Sequence, residues 1–232
     1  MFYYYDPTYS LVLISIVICM LASSRVNHVF RRYASVRSMS GMTGREAAER
    51  ILRANGIYDV QVCHISGHLN DHYDPRNKIL RLSDATYNSP SVAAIGVAAH
   101  ECGHAVQHAV GYAPLKIRGA LVPVANFGST LAWPLILIGL LIRSDAAVLL
   151  INLGILLFSA AVLFQIVTLP VEFNASRRAV QALEKGGMLY GEEIDGTKAV
   201  LRAAALTYVA SAASMILQLL RLIIIGGRRQ DD

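Results

Sequence analysis

The chain has 232 residues, of which 54% are hydrophobic and 16% charged, with a formal net charge of +5. A soluble domain carries about a quarter charged residues, so this composition excludes an ordinary cytosolic domain and predicts an integral membrane protein. Nucleic acid is not an expected partner either. Arg25, Arg31, Arg32, Arg37 and Arg45 gather just after the first apolar block, which is how membrane proteins mark a cytoplasmic side rather than how a folded domain presents a basic face.

The first apolar run, 9–22, is short for a spanning helix. It lacks the basic start of a signal peptide, and the aromatics at Phe2 to Tyr5 and at Tyr9 suit a membrane–water interface. An uncleaved anchor with its N-terminus outside is expected. In the polar stretch that follows, Thr43 and Glu46 form a capping box, opening a helix that ends near Ala54 at Asn55-Gly56. Residues 60–65 and 78–82 alternate like half-buried strands, while 68–75 is rich in turn formers. The strand at 78–82 is a candidate sheet edge for an extended substrate, with an inner strand as the alternative. An Ala- and Val-rich helix is predicted from Ser91 to about Val110.

Two apolar blocks, 120–142 and 146–169, each reach the roughly 20 residues that cross a bilayer, and Arg143 to Asp145 turns tightly between them. The polar stretch 171–202 has a helical pattern with a break at Gly186-Gly187, and 208–225 is the last apolar segment. Four crossings place both polar stretches on the cytoplasmic face. Arg228 and Arg229 then fall outside, against the charge rule, which leaves a re-entrant or interfacial path open for the last segment. Cys19, Cys63 and Cys102 form no CxxC pair, so neither a disulfide framework nor a Cys-rich zinc site is predicted.

The chemistry is concentrated in His100-Glu101-Cys102-Gly103-His104, an HExxH pattern. Residues four apart share a helix face, so both imidazoles can reach one ion. Zinc lowers the pKa of a bound water toward 7, and Glu101 is placed to take its proton. A catalytic zinc has three protein ligands. The best third candidate is Glu172, which Pro170 would place in the first turn of a new helix, a favourable position for a carboxylate. His64, His68 and His72 repeat the four-residue spacing, but Gly67, Asn70, Asp71 and Pro75 interrupt any helix, and loop roles are expected. His72 is a candidate for stabilising an oxyanion. His108 continues the His100/His104 face, and a supporting role is expected of it because a fourth protein ligand would close the open position.

These residues resemble the bacterial membrane zinc metallopeptidases of the YugP type. The matching stretches are 71–76 (Asp-His-Tyr-Asp-Pro-Arg), 80–83 (Leu-Arg-Leu-Ser), 98–107 (around the HExxH pattern) and 169–177 (Leu-Pro-Val-Glu-Phe-Asn-Ala-Ser-Arg). More distantly the chain is similar to HtpX-like and CAAX-processing membrane proteases, whose third zinc ligand is a later Glu. That role falls here on Glu172. Those relatives place an Asp four residues further on to orient a zinc-bound His, whereas this chain has Ser176, so orientation is expected from Asn174 or Ser176.

The resulting expectation is a mainly α membrane protein with about four transmembrane helices and a small zincin-like α+β catalytic domain carrying HExxH on a helix. Its regions are an anchor (1–24), a catalytic region (25–118), a transmembrane hairpin (119–169), a helical region with the third ligand (170–206) and a C-terminal segment and tail (207–232). The expected activity is a gluzincin-like metalloendopeptidase holding one Zn2+ per chain and acting on protein or peptide substrates at the cytoplasmic face of the bilayer. Ligand chemistry alone also admits cobalt or manganese. The alternatives are a non-catalytic zinc-containing scaffold or chaperone-like binding protein, which does not account for Glu101, and a metal transporter, whose ligands would lie within the apolar blocks. The sequence carries no signal for oligomeric state.

Overall fold

The computed structural model describes residues 6–142, 144 and 146–228. Among these the elements run α1 (Tyr9–Ala34), α2 (Gly44–Ala54), β1 (Gln61–His64), β2 (His72–Asp74), β3 (Ile79–Leu82), α3 (Val92–Ala109), α4 (Ala113–Leu141), α5 (Ala146–Lys185) and α6 (Glu192–Arg228). The expectations for Phe2 to Tyr5, the Arg143 and Asp145 turn residues, Arg229 and the Arg228 side chain lie outside what is described. Four helices, α1, α4, α5 and α6, are long and apolar enough to cross a membrane.

The chain divides into two compact units, one formed by 1–22, 116–169 and 207–232 and the other by 23–115 and 170–206. In the first, Ala132, Ile136, Phe158, Val162 and Leu222 make a small interior, with Trp133 edge-on to Phe158. Many large apolar side chains of this unit face outward. Leu141, Leu149 and Leu156 are 81%, 68% and 67% exposed, as expected of surfaces whose solvent is lipid.

The second unit has a conventional core. Ile51, Leu52, Leu80, Leu82, Ile95, Leu183, Met188 and Leu189 are buried together, joining α2, α3, the sheet and the ends of α5 and α6 that lie in this unit. Local signals set the ends of its helices. The Thr43 hydroxyl accepts from Glu46 N–H while the Glu46 carboxylate accepts from Thr43 N–H. Asn55 closes α2, and Gly56 follows with φ +69°, a conformation that disfavours a Cβ. Ser91 caps α3 by accepting from Ala94 N–H.

The sheet order is β1-β3-β2, with β1 parallel and β2 antiparallel to β3. This decides one expectation and corrects another. The strand at 78–82 is the inner one, the alternative left open by the sequence, because its backbone pairs with β1 on one side and β2 on the other. The edges are β1 and β2, and β2 forms within the stretch read as turn residues. Asp71 accepts from both Ser83 N–H and Ser83 Oγ–H, and Asp74 accepts from Arg76 and Asn77 N–H while pairing with Arg81. These carboxylates fix a three-residue strand that alternation alone is too short to reveal.

Two helices also run further than expected. No new helix starts at Pro170, since α5 continues through it from Ala146 to Lys185. Glu172 therefore sits in mid-helix, not in a first turn. Pro170 removes one N–H donor, a loss that long apolar helices tolerate when neighbouring side chains serve the backbone. The segments 171–202 and 208–225 likewise do not form separate helices, because α6 is one helix from Glu192 onward. The break falls at Gly186-Gly187, where Gly187 has φ +57°.

Candidate metal centre

All the residues of the candidate site belong to the second unit. His100, Glu101 and His104 lie on α3, where one turn separates the imidazoles and sets their rings edge-on with centroids 4.8 Å apart. The third donor comes from α5. Glu172 is 2% exposed, and its Oε2 is 3.2 Å from His100 Nε2 and 3.5 Å from His104 Nε2. Gly103 permits this approach. A Cβ at that position would lie 2.5 Å from the Ala175 carbonyl oxygen, so any larger residue would push α3 and α5 apart one turn from Glu172.

Among the described residues, His100, His104 and Glu172 form a group able to hold a metal, with one ligand atom from each lying within 4.8 Å of the others. The geometry fits zinc. Bonds of about 2.0–2.2 Å in a tetrahedral shell put neighbouring ligand atoms about 3.4 Å apart, close to the two separations from Glu172. The donor set of two imidazoles and a carboxylate leaves a fourth position for water or substrate. The far ring nitrogens have partners too. His100 Nδ1 is 3.1 Å from Ser176 Oγ, and His104 Nδ1 is 3.0 Å from Gln107 Oε1. Such partners help to orient both rings toward the centre.

Glu101 points from the same helix toward the sheet edge. Its Oε2 accepts from Tyr73 N–H on β2 at 3.0 Å. Burial pushes the Glu101 carboxyl above the ordinary carboxylate range, against the opposing pull of His100 and His104. That shift moves it toward the range where a carboxylate exchanges protons usefully near neutrality. For His104, burial disfavours the charged ring, but the hydrogen bond to Glu172 and the charge of Glu101 outweigh it and raise the imidazole.

The remaining expected residues are more dispersed. Ser176 touches His100, while Asn174 touches Gln107 and Arg178. His72 lies with Asn70 O and Arg81, on the face of β2 opposite to Tyr73. The Tyr73 hydroxyl meets His108 Nδ1 at 2.9 Å. Sequence reasoning missed Tyr73 and Gln107. A signal for Gln107 exists, because it lies three residues after His104 and on the same helix face. No local signal marks Tyr73, whose contribution to Glu101 is a backbone N–H.

Comparison with known proteins finds a family match and a relative of similar length. Residues 8–227 match a family described as "Putative neutral zinc metallopeptidase". The chain is also 48% identical over 211 residues to "Putative membrane protease YugP" of Bacillus subtilis (strain 168), covering 91% of this chain and 92% of that protein. No solved structure matches the chain. A match over nearly the whole length, with a full-length relative at this identity, shows that the chain belongs to the family of neutral zinc metallopeptidases so described.

Proposed function

We propose that the protein is a zinc-dependent membrane peptidase, with His100, His104 and Glu172 as metal ligands and Glu101 as general base and then acid. The observation that supports this most is the single Glu172 oxygen held 3.2 and 3.5 Å from two imidazole nitrogens of another helix. A zinc ion at such a donor set supplies Lewis acidity, acidifying water and polarising a peptide carbonyl. The chain's own residues do the rest. Glu101 takes the proton of the attacking water and delivers it to the departing amine. Tyr73 N–H fixes that carboxylate, and the substrate class expected is an extended protein or peptide segment. Burial around the donors excludes bulk water and strengthens each of these interactions.

The arginines after the first apolar segment support a cytoplasmic orientation for the site. Together with four apolar helices, they favour substrates at or near the bilayer surface.

The test is zinc content and cleavage of casein in detergent, for wild type and Glu101→Gln. One zinc per chain in both, with cleavage by wild type alone, is the expected result; Glu101→Gln should slow turnover by about 10²–10⁴-fold. Zinc in both without cleavage across a broad substrate panel would favour a non-catalytic zinc scaffold. A well-folded wild type without stoichiometric zinc would overturn the reading.

A further inference from the structure

Gln107 is fully buried, and both ends of its amide are hydrogen-bonded. Its Oε1 faces His104 Nδ1 at 3.0 Å. Its Nε2 donates to Val171 O at 2.8 Å and to Asn174 Oδ1 at 3.0 Å. Asn174 Oδ1 also accepts from Arg178 Nε at 2.8 Å.

The direction of every bond in this chain follows from Arg178. A guanidinium only donates, so the Asn174 atom it meets must be the oxygen. An oxygen there requires the Gln107 nitrogen opposite it, and the Val171 carbonyl imposes the same choice. The Gln107 oxygen must then face His104, so the hydrogen between them resides on His104 Nδ1. That tautomer leaves the Nε2 lone pair directed toward Glu172 and the centre. His100 has no such constraint, because its neighbour Ser176 can donate or accept equally well.

We propose that Arg178, Asn174 and Gln107 form a relay of positioning residues that locks His104 in its metal-binding tautomer and ties it to the turn of α5 carrying Glu172. This rests on the metal-ligand reading above. Val171, the residue before Glu172, is the second anchor of the amide, so one buried side chain holds both a ligand imidazole and the backbone beside a ligand carboxylate.

Zinc affinity of the full chain in detergent, measured by chelator competition, tests the proposal, with the thermal midpoint of the zinc-free protein recorded alongside. Gln107→Met keeps the volume and removes the bonds; the Asn174 and Val171 oxygens retain other partners in Arg178 and the α5 backbone. It should bind zinc about 10–100-fold more weakly with little change in the zinc-free midpoint. Gln107→Glu keeps an acceptor for His104 but sets an oxygen against the Val171 and Asn174 oxygens that need a donor, so it should recover little of that loss. Arg178→Met, two bonds from the imidazole, should weaken zinc by a smaller factor and serves if the Gln107 variants do not fold. Wild-type affinity in Gln107→Met or in Gln107→Glu would overturn the relay while leaving the metal centre standing. Failure of the wild type itself to bind zinc would instead remove the reading on which the relay depends.

Discussion

Two histidine series in this chain share one spacing and have different fates. His64, His68 and His72 are four residues apart, and so are His100, His104 and His108. The second series lies on one α-helix, where a four-residue step returns to the same face, and two of its members converge on Glu172. The first is spread over β1, a connecting loop and β2. There His64 pairs with Asp84, His68 meets the edge of Phe30, and His72 bonds to Asn70 O. Spacing carries chemical meaning only through the periodicity of the backbone that bears it.

The comparison breaks most severely if the helical register is altered. One alanine inserted between Gly103 and His104 rotates His104 by about 100° and should abolish stoichiometric zinc, read by metal analysis. The same insertion in the loop at 66–69 should leave zinc in place. If both insertions are tolerated, register is not what assembles the site. Next in size is Gly103→Ala, which keeps both histidines but forces α3 from α5. Zinc affinity should fall by about 10–100-fold, and an unchanged value would show that the close approach is dispensable.

A pH test sharpens the contrast further. Without metal, the Glu172 contact raises the His104 imidazole above its unfolded value of about 6.5. Its contribution to stability is therefore complete below about 6.5 and is lost as pH rises through the elevated folded value. The raised Glu101 carboxyl acts with the same sign. Zinc needs neutral imidazoles, so the zinc-loaded chain should gain stability over the same interval. Thermal midpoints at pH 6 and pH 8, with chelator and with zinc, should move in opposite directions. Parallel slopes would mean that these groups do not govern the pH response. The smallest effects belong to the first series. His64→Ala and His68→Ala should retain full zinc content with at most a slight fall in thermal midpoint, since the His64–Asp84 pair is largely exposed and such pairs contribute little. Zinc loss in either variant would place the first series in the site after all.

The two units teach a related lesson about what hydrophobicity encodes. Leu156 and Leu80 are the same residue type, one 67% exposed and the other fully buried. A long unbroken apolar run identified the first as membrane-facing. The second was legible only as one position of a short alternating strand, and whether that strand lay inside or at the edge depended on a partner, β2, too short to show a period of its own.

Some features were fixed by neighbours within a few residues of one another. The capping box of α2, the Ser91 cap of α3, the four apolar helices and the pairing of His100 with His104 on one helix face all follow from helical geometry and local composition. Glu172 was also legible as a candidate ligand, although for a mistaken local reason, since Pro170 does not begin a helix. Other features required distant segments to meet. The approach of Glu172 to His100 across 72 positions, the N–H of Tyr73 on Glu101, the inner place of β3 and the bonds around Gln107 depend on which surfaces pack together. Side-chain volume and the absence of a Cβ at Gly103 decide that packing, and neither leaves a periodic mark in the sequence.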